Sequence, residues 1–507
     1  MLRTLTDLFR LGRVAWILAR HDALIPSEFD PMLPQGVRTV GKITRIGTKT
    51  KGRRPGQRLA DALAGQGPAY VKFGQLLATR PDIVGFEMAA DLACLQDAMP
   101  AFATEEARRE VEKALGRSID ALFSTFSEPV AAASIAQVHK ATTTEGDTVA
   151  VKVLRPGIEK KAQKEFRVLY LGARLVEVFV VAARRLEPVK FINTLKESSE
   201  FELDLRIEAG SASEVRDNLS DNDDLVIPKI DWQRSSRRVL TTEWVDGTPL
   251  SDHAAVHARA DLDRELLAVT IMQCFLSQAL EYGLFHADMH QGNLFVDAKR
   301  RLVLIDFGIM GRLDASARRA FAEILFGFIT RDYQRSAKAH FEAGYVPDHF
   351  NVDAFATALR AVVEPIFNKS ADQLDMSRVL QQLFDITDVF DMHLRPELVL
   401  LQRTMVVVEG VARMLDPKID LWSTAEPIVR AYVQREIGPR ALLKQARVNA
   451  GVAASLFESF PEFADAAEKL AGQLANGGLK LSDDTVLRLA RAMKGKPLGS
   501  VDPAKKA

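Results

Sequence analysis

Apolar residues recur at helical spacing through residues 2 to 19, where Leu5, Leu8, Phe9, Val14, Ile17 and Leu18 alternate with Arg3, Arg10, Arg13 and Arg20. That pattern predicts a basic amphipathic helix. A compact helical region opens near Leu59, and from Pro129 the character changes to short apolar runs bounded by polar turns. The runs Val149 to Val153 and Val239 to Glu243 read as strands, with a helical stretch from about Phe191 to Asn218 between them. Helical periodicity from Leu262 to Gly283 then leads into a loop. Beyond it Leu294-Phe295-Val296 and Leu302 to Ile305 predict a hairpin around the polar turn Asp297 to Arg300. Past Leu313 the spacing is helical again, from Phe321 to Phe328, at Met376, Val379, Leu380 and Leu383, and from Leu398 to Leu415. The order of elements describes an α+β chain whose last third is largely helical.

Chemistry concentrates on the loop before the hairpin and on the residues that close it. Phe285-His286-Ala287-Asp288-Met289-His290-Gln291-Gly292-Asn293 is followed by Ile305-Asp306-Phe307-Gly308. An Asp, an Asn five residues on, and a second Asp ahead of Phe-Gly form the metal and base set of kinase-type phosphoryl transfer. In that chemistry Asp288 orients a hydroxyl or water and accepts its proton, while Asn293 and Asp306 hold Mg²⁺ on the ATP phosphates. A lone Asp is more often a helix cap or turn residue; the ordered combination in strand context carries the assignment.

Upstream, Val149-Ala150-Val151-Lys152-Val153 places a lysine on a strand, the position that binds the α and β phosphates and pairs with a helix glutamate. Glu202 and Glu208, on an acidic helical stretch, are both candidates for that partner, and spacing does not choose between them. Ala131, Ala132, Ala133, Ser134, Ile135, Ala136, Gln137 and Val138 stand where a Gly-rich phosphate loop is expected. Methyl groups there keep the backbone farther from phosphate than glycine would. Trp244 to Leu250 reads as the hinge-like passage between lobes, and backbone groups at Glu243 and Val245 would meet adenine. No Ala-Pro-Glu motif follows, which argues against a routine protein substrate. Spacing alone assigns no chemistry to Lys72 or Gln75.

Composition narrows the partners. In 507 residues, 67 basic side chains balance 67 acidic ones, so no bulk attraction to nucleic acid follows. Through residue 58, however, twelve Lys or Arg stand against four Asp or Glu. Such a segment can lie on an anionic membrane surface, or it can pack on the body beside a solvated charge run. The two cysteines, Cys94 and Cys274, have no ligand spacing and read as buried packing residues of a reducing compartment. No cleavable signal peptide is evident, and the apolar stretches at 168–183 and 398–415 are broken by charges. A cytoplasmic chain is expected.

Together these residues resemble the UbiB family of atypical, protein-kinase-like proteins that support ubiquinone biosynthesis. The resemblance rests on Lys72-Phe73-Gly74-Gln75, Ala131 to His139, Lys152, Glu202-Leu203-Asp204, Phe285 to Asn293 and Asp306-Phe307-Gly308, and spans about residues 20 to 440. It implies a bilobal protein-kinase-like fold with a basic helix and linker (1–58), a Lys-x-Gly-Gln helical extension (59–128), an N-lobe (129–245), a helical C-lobe (246–437) and a helical tail (438–507). It also implies that Lys72 and Gln75 occlude the peptide-docking side, that Glu202 and Asp204 answer Lys72, and that Glu208 is left for Lys152. Two departures stand out: Gln291 replaces the family's usual proline, and the terminal membrane helices of many bacterial members do not follow. Attachment is therefore expected through the basic helix or a partner. The implied activity is an ATP- and Mg²⁺-dependent atypical kinase or ATPase, peripheral on the cytoplasmic face of the inner membrane, acting with ubiquinone precursors or their biosynthetic enzymes. The alternative is a non-catalytic nucleotide-binding scaffold for those enzymes. Nothing in the sequence speaks to oligomeric state.

Overall fold

The computed structural model describes residues 2–24, 39, 42, 52–78, 84–92, 95, 100–179, 184, 187–366, 382, 386–387, 389–392 and 395–438. Cys94, most of the predicted linker, Met376 to Leu383 except one position, and the tail beyond 438 lie outside them. The chain divides into two units, Met1–Val433 and Gln434–Ala507.

Helix α1 (Leu2–Arg20) turns one face inward, where Val14 and Leu18 join Ala60, Leu63, Tyr70 and Leu92 in a core. That core is built by α2 (Pro55–Ala64), α3 (Pro68–Ala78) and α4 (Phe86–Leu92). Helix α3 carries Lys72-Phe73-Gly74-Gln75, and its glycine is a packing requirement: a Cβ at Gly74 would collide with Leu95 and Leu63. Its amino end is held by a carboxylate from further along the chain, since the Ala69 N–H donates to Glu165 Oε2 at 3.0 Å.

Next come α5 (Thr104–Leu115), stopped by Gly116 at φ 68°, then α6 (Ile119–Leu122) and strands β1 (Phe123–Ala132), β2 (Ala136–Thr143) and β3 (Thr148–Leu154). Here the expected boundary at 128/129 is corrected, because it falls inside β1. Three register shifts along β1 break the in–out alternation that would have revealed the strand. Helices α5 and α6 also belong to this lobe: Ala107, Val111, Ile119 and Leu122 cover Val149, Val151, Val153 and Val239.

The opposite face of the sheet is covered by α7 (Ile158–Phe179), α8 (Pro188–Glu202) and α9 (Leu205–Asn218), around Ala136, Leu154, Leu195, Leu205 and Leu240. The single helical stretch expected to Asn218 is thus two helices. They part at Asp204, which caps α9 by accepting from the Arg206 N–H. Strands β4 (Leu225–Val226) and β5 (Val239–Glu243) follow, and the N-lobe sheet runs β1-β2-β3-β5.

Beyond β6 (Gly247–Pro249) and α10 (His253–Ala258), helix α11 (Arg264–Ser277) starts on an Asp263 cap and widens into one π turn, Gln278–Tyr282, before Gly283 at φ 66°. Strand β7 (Leu284–His286) opens the loop; β8 (Leu294–Asp297) and β9 (Leu302–Leu304) form the predicted hairpin with Leu294 opposite Leu304; β10 (Met310–Arg312) returns to β7. Asp297 holds the hairpin turn by accepting from the amides of Lys299 and Arg301, both at 2.8 Å.

The helical remainder comprises α12 (Ala315–Ile329), α13 (Tyr333–Glu342), α14 (Val352–Val363), α15 (Pro396–Leu415) and α16 (Leu421–Glu436). The Tyr333 hydroxyl donates to Glu364 Oε2 at 2.6 Å and Arg331 Nη1 meets Oε1 at 3.1 Å, joining two sequence-distant motifs. Among the described residues no helix is long and apolar enough to cross a membrane.

Burial holds the Glu165 carboxyl above its ordinary 4.5, against the Ala69 hydrogen bond and the nearby Lys161 charge. The native state therefore binds this proton more tightly than the unfolded chain, and the Glu165 contribution to stability declines as pH rises from 4.5 through the folded value. Glu165→Gln, which keeps an acceptor, is expected to remove that decline without loss of stability at pH 7. Glu165→Ala strands the Ala69 N–H and should cost roughly 1–3 kcal/mol in denaturant unfolding.

Candidate active site

Strand register decides which residues share a face with Lys152. In the antiparallel ladder Val138 stands opposite Lys152 and Lys152 opposite Leu240, while Lys140, Ala150 and Thr242 form the next row. Facing residues point to the same side, so Val138, Ala150 and Thr242 share the lysine's surface. The last two were not singled out by sequence, although Ala150 lies two residues before the lysine in the motif.

Lys152 Nζ donates to Glu208 at 2.8 and 2.9 Å and to Asp306 Oδ1 at 3.1 Å. Burial works against charge on the ammonium, but Asp306 and Glu208 outweigh it and raise the lysine's pKa. The two carboxylates respond differently. Asp306 is 46% exposed at its side chain, and the desolvation it does suffer is outweighed by Lys152, which holds the carboxyl below its ordinary range. Burial raises Glu208 to about 7 against the pull of Lys152, with the Asp306 charge pushing the same way as burial.

Of the two glutamates left open by sequence, Glu208 is the partner of Lys152. Glu202 is instead ion-paired with Lys72. The break at Asp204 explains the division: Glu202 ends α8 and Glu208 lies in the first turn of α9, on a differently directed helix. Asp204 bonds Arg206 at 2.6 and 2.9 Å. Gln75 donates to the Leu95 carbonyl at 3.3 Å, inside the helical extension.

Asp306 adopts a left-handed backbone, φ 59°, a conformation Asp tolerates better than most residues. Asn293 is drawn to the other aspartate: its Nδ2 donates to the Asp288 carbonyl at 3.0 Å and approaches Oδ2 at 3.4 Å. The Ile305 N–H donates to the Asn293 carbonyl at 3.0 Å, so the hairpin sets Asn293 beside the segment that carries Asp306.

His286 ties these parts together, a role its place in the motif did not reveal. The Asp288 N–H donates to Nδ1 at 3.1 Å, which leaves the proton on Nε2, 3.0 Å from the Ile305 carbonyl. Burial lowers the imidazole's pKa and keeps it neutral. The π turn at the end of α11 contributes the next support, for the His286 N–H donates to Gln278 Oε1 at 3.0 Å. From the helical domain, buried Thr404 on α15 places its hydroxyl 3.1 Å from the Ala287 carbonyl and 2.8 Å from that of Leu400 in its own helix. Gln291, at the position of the expected proline, meets His253 Nε2 at 2.6 Å and links the loop to α10.

The alanine-rich segment is corrected in part. Gln137 points away from Lys152, fully buried, with its side-chain amide bonded to both the N–H and the carbonyl of Phe102 at 2.9 and 3.2 Å. Ala136 lies in the core beside Leu154 and Leu240. Ala131 is exposed, and Ala132, Ala133, Ile135 and Val138 are half-buried. At the hinge, the Glu243 N–H is taken by the Lys229 carbonyl at 2.8 Å and that of Trp244 by the Thr148 carbonyl at 3.1 Å.

A two-lobed domain with this lysine, two carboxylates and an adjoining Asp–Asn pair is an atypical kinase-like domain, and the ABC1 atypical kinase-like domain matches residues 94–340. The UbiB helical domain matches residues 359–420. Similar proteins named "Probable protein kinase UbiB" include one from Marinobacter nauticus, 39% identical over 87% of this chain and 81% of its own. Another, from Shewanella piezotolerans, is 36% identical over 93% of this chain and 87% of its own. The chain belongs to the UbiB family. In structure it resembles Rv3197 of Mycobacterium tuberculosis, solved as an erythromycin complex, with a TM-score of 0.52 and 21% identity over 80% of this chain and all of that one; the likeness is one of fold.

Glu208→Gln should weaken nucleotide binding on the order of tenfold, the scale of one charge-assisted hydrogen bond. Glu202→Gln should weaken it less, as a fluorescent-nucleotide titration of the two variants will read.

Proposed function

We propose that this chain is an ATP-dependent atypical kinase or ATPase that supports ubiquinone biosynthesis at a membrane surface. The observation that carries the proposal is the Lys152 ammonium shared by Glu208 and Asp306, with the β8–β9 hairpin joining Asp306 to the loop that carries Asp288 and Asn293. Asn293 turns its amide nitrogen to the Asp288 carbonyl, so its Oδ1 is the atom left to offer a ligand. With the Asp306 carboxylate it makes a set of hard oxygen donors that suits Mg²⁺. When bound, Mg²⁺ supplies neutralisation of the charge on the triphosphate.

The chain's own residues divide the rest of the work. Lys152 contacts the α and β phosphates while Glu208 holds its ammonium in place. Asp288, about one-third exposed, orients a hydroxyl or water and accepts its proton. Neutral His286 fixes the loop without competing for that proton. Val138, Ala150 and Thr242 provide a surface for adenine, and the amides already engaged at Glu243 and Trp244 leave the Glu243 carbonyl and the Val245 N–H as its hydrogen-bonding edge. Helix α3, anchored by Lys72–Glu202 and with Phe73 and Leu76 in the same core as Ile135, favours water or a small lipid-borne acceptor over a peptide. Asp288→Asn is expected to lower ATP turnover by about 10²-fold or more with MgATP binding retained, and Asp306→Asn to lose both. Undiminished ubiquinone synthesis in Asp288→Asn, with nucleotide still bound, would favour the scaffold reading.

The membrane part rests on α1. Its inner face is packed, whereas Phe9 is 79% and Trp16 58% exposed, with Arg13 and Arg20 exposed on the same side. The Asp7–Arg167 ion pair at 3.2 Å and the approach of Leu11 to Gly172 run α1 alongside α7, whose Val178 and Phe179 are also exposed. Arginine among exposed aromatics is the composition of an anionic-interface helix. The double variant Phe9→Ser, Trp16→Ser should bind phosphatidylglycerol vesicles at least tenfold more weakly in co-sedimentation, with ATP turnover in their absence unchanged.

A further inference from the structure

We propose that Arg155 is a positioning residue that fixes the alanine-rich loop and thereby sets the affinity of the site for nucleotide phosphates. Arg155 is the first residue after β3. Its guanidinium donates through both Nε and Nη2 to a single acceptor, the Ala133 carbonyl, at 3.0 and 2.8 Å. Its backbone N–H donates to the Ile135 carbonyl at 2.8 Å, and the loop closes on itself through the Ala133 N–H and the Ala136 carbonyl, also at 2.8 Å. One residue outside the loop thus engages two of the carbonyls within it.

The anchor is itself held from several sides. The Arg155 carbonyl accepts from Arg238 Nη2 at 3.0 Å, and Arg238 is bound by Glu110 of α5 at 3.0 Å and by Glu159 of α7. The Phe102 ring lies 5.6 Å from the guanidinium carbon, and Gln137 fixes the Phe102 backbone from both its N–H and its carbonyl. Arg155 is therefore braced against two helices and a buried strand residue.

The loop has reason to need such a brace. Its alanines carry no side-chain hydrogen-bonding groups, and no residue from Ala131 to Val138 has positive φ, so the turn is not shaped by a glycine-type conformation. A planar guanidinium directs two fixed donors at one oxygen, which an ammonium cannot reproduce. Because the peptide is planar and trans, orienting the Ala133 carbonyl toward Arg155 turns the Ser134 N–H to the opposite side. Arg155 in this way chooses the direction in which a backbone donor of the phosphate-covering loop faces.

This inference rests on the ATP reading above and predicts an effect on binding rather than on the chemistry at Asp288. In the full chain, Arg155→Leu should raise KM for MgATP at least fivefold and the Kd for a fluorescent MgATP analogue in parallel, with kcat altered less than twofold. Arg155→Lys should fall between the two, and added ethylguanidinium should return Arg155→Ala toward wild type. Unchanged KM and Kd in Arg155→Lys and Arg155→Leu variants that melt like wild type would overturn the role while leaving the ATP reading intact. A fall in kcat that follows melting temperature, with no change in KM and no guanidinium rescue, would also overturn it. If Arg155→Leu fails to fold, Arg155→Lys decides by the same measurements. A wild-type chain that binds no MgATP would overturn both readings together.

Discussion

The largely enclosed ammonium of Lys152 and the two carboxylates it holds are the constraint on which the rest of this structure depends. A charge removed from water is tolerated only with partners at close range, and losing one of them leaves the others uncompensated. Here the partners arrive from three places: β3 brings the lysine, α9 brings Glu208, and the segment after β9 brings Asp306. The ladder β2-β3-β5 must hold its register, α9 must begin at Asp204, and the β8–β9 hairpin must end where it does, or one of the three is misplaced.

A second tier of hydrogen bonds makes the loop around Asp288 rigid without adding charge to it. His286 is locked in one tautomer by the Asp288 amide and the Ile305 carbonyl, and Gln278 and Thr404 hold the adjacent peptides from α11 and α15. The helical domain reaches the loop at the buried hydroxyl of Thr404. On the other side, α3 is fastened by Lys72–Glu202, by Glu165 at its amino end and by the close approach that Gly74 permits. Within the Lys-x-Gly-Gln motif the lysine ties the helix to Glu202, while the glycine and the glutamine both meet Leu95.

The alanine-rich loop shows how a substitution in one element places demands on another. Glycine would supply its own turn geometry, whereas alanine leaves the backbone without side-chain donors and narrows its conformational range. The compensation comes from outside, in Arg155 just after β3 and in the brace of Phe102, Gln137 and Arg238 behind it. The alanine-rich loop of the N-lobe is in this sense organised by residues outside it.

The sequence by itself determined the features that depend on local order and residue type: the Asp288–Asn293 spacing, the hairpin that follows, Asp306 before Phe-Gly, Lys152 on a strand, and the amphipathic first helix. Each is set by contacts within a few residues, so periodicity and motif spacing suffice to read them. Tertiary structure decided what depends on direction in space. The break at Asp204 sends Glu202 to Lys72 and Glu208 to Lys152, and neither residue's type or spacing records that turn. The pleat put Gln137 on the far side of the sheet from Lys152, and register shifts hid the start of β1. Thr404 reaches the site from 117 residues beyond Ala287, and Gln278 and Arg155 act across shorter stretches of chain; a hydrogen bond of that kind leaves no trace in sequence until the fold brings donor and acceptor together.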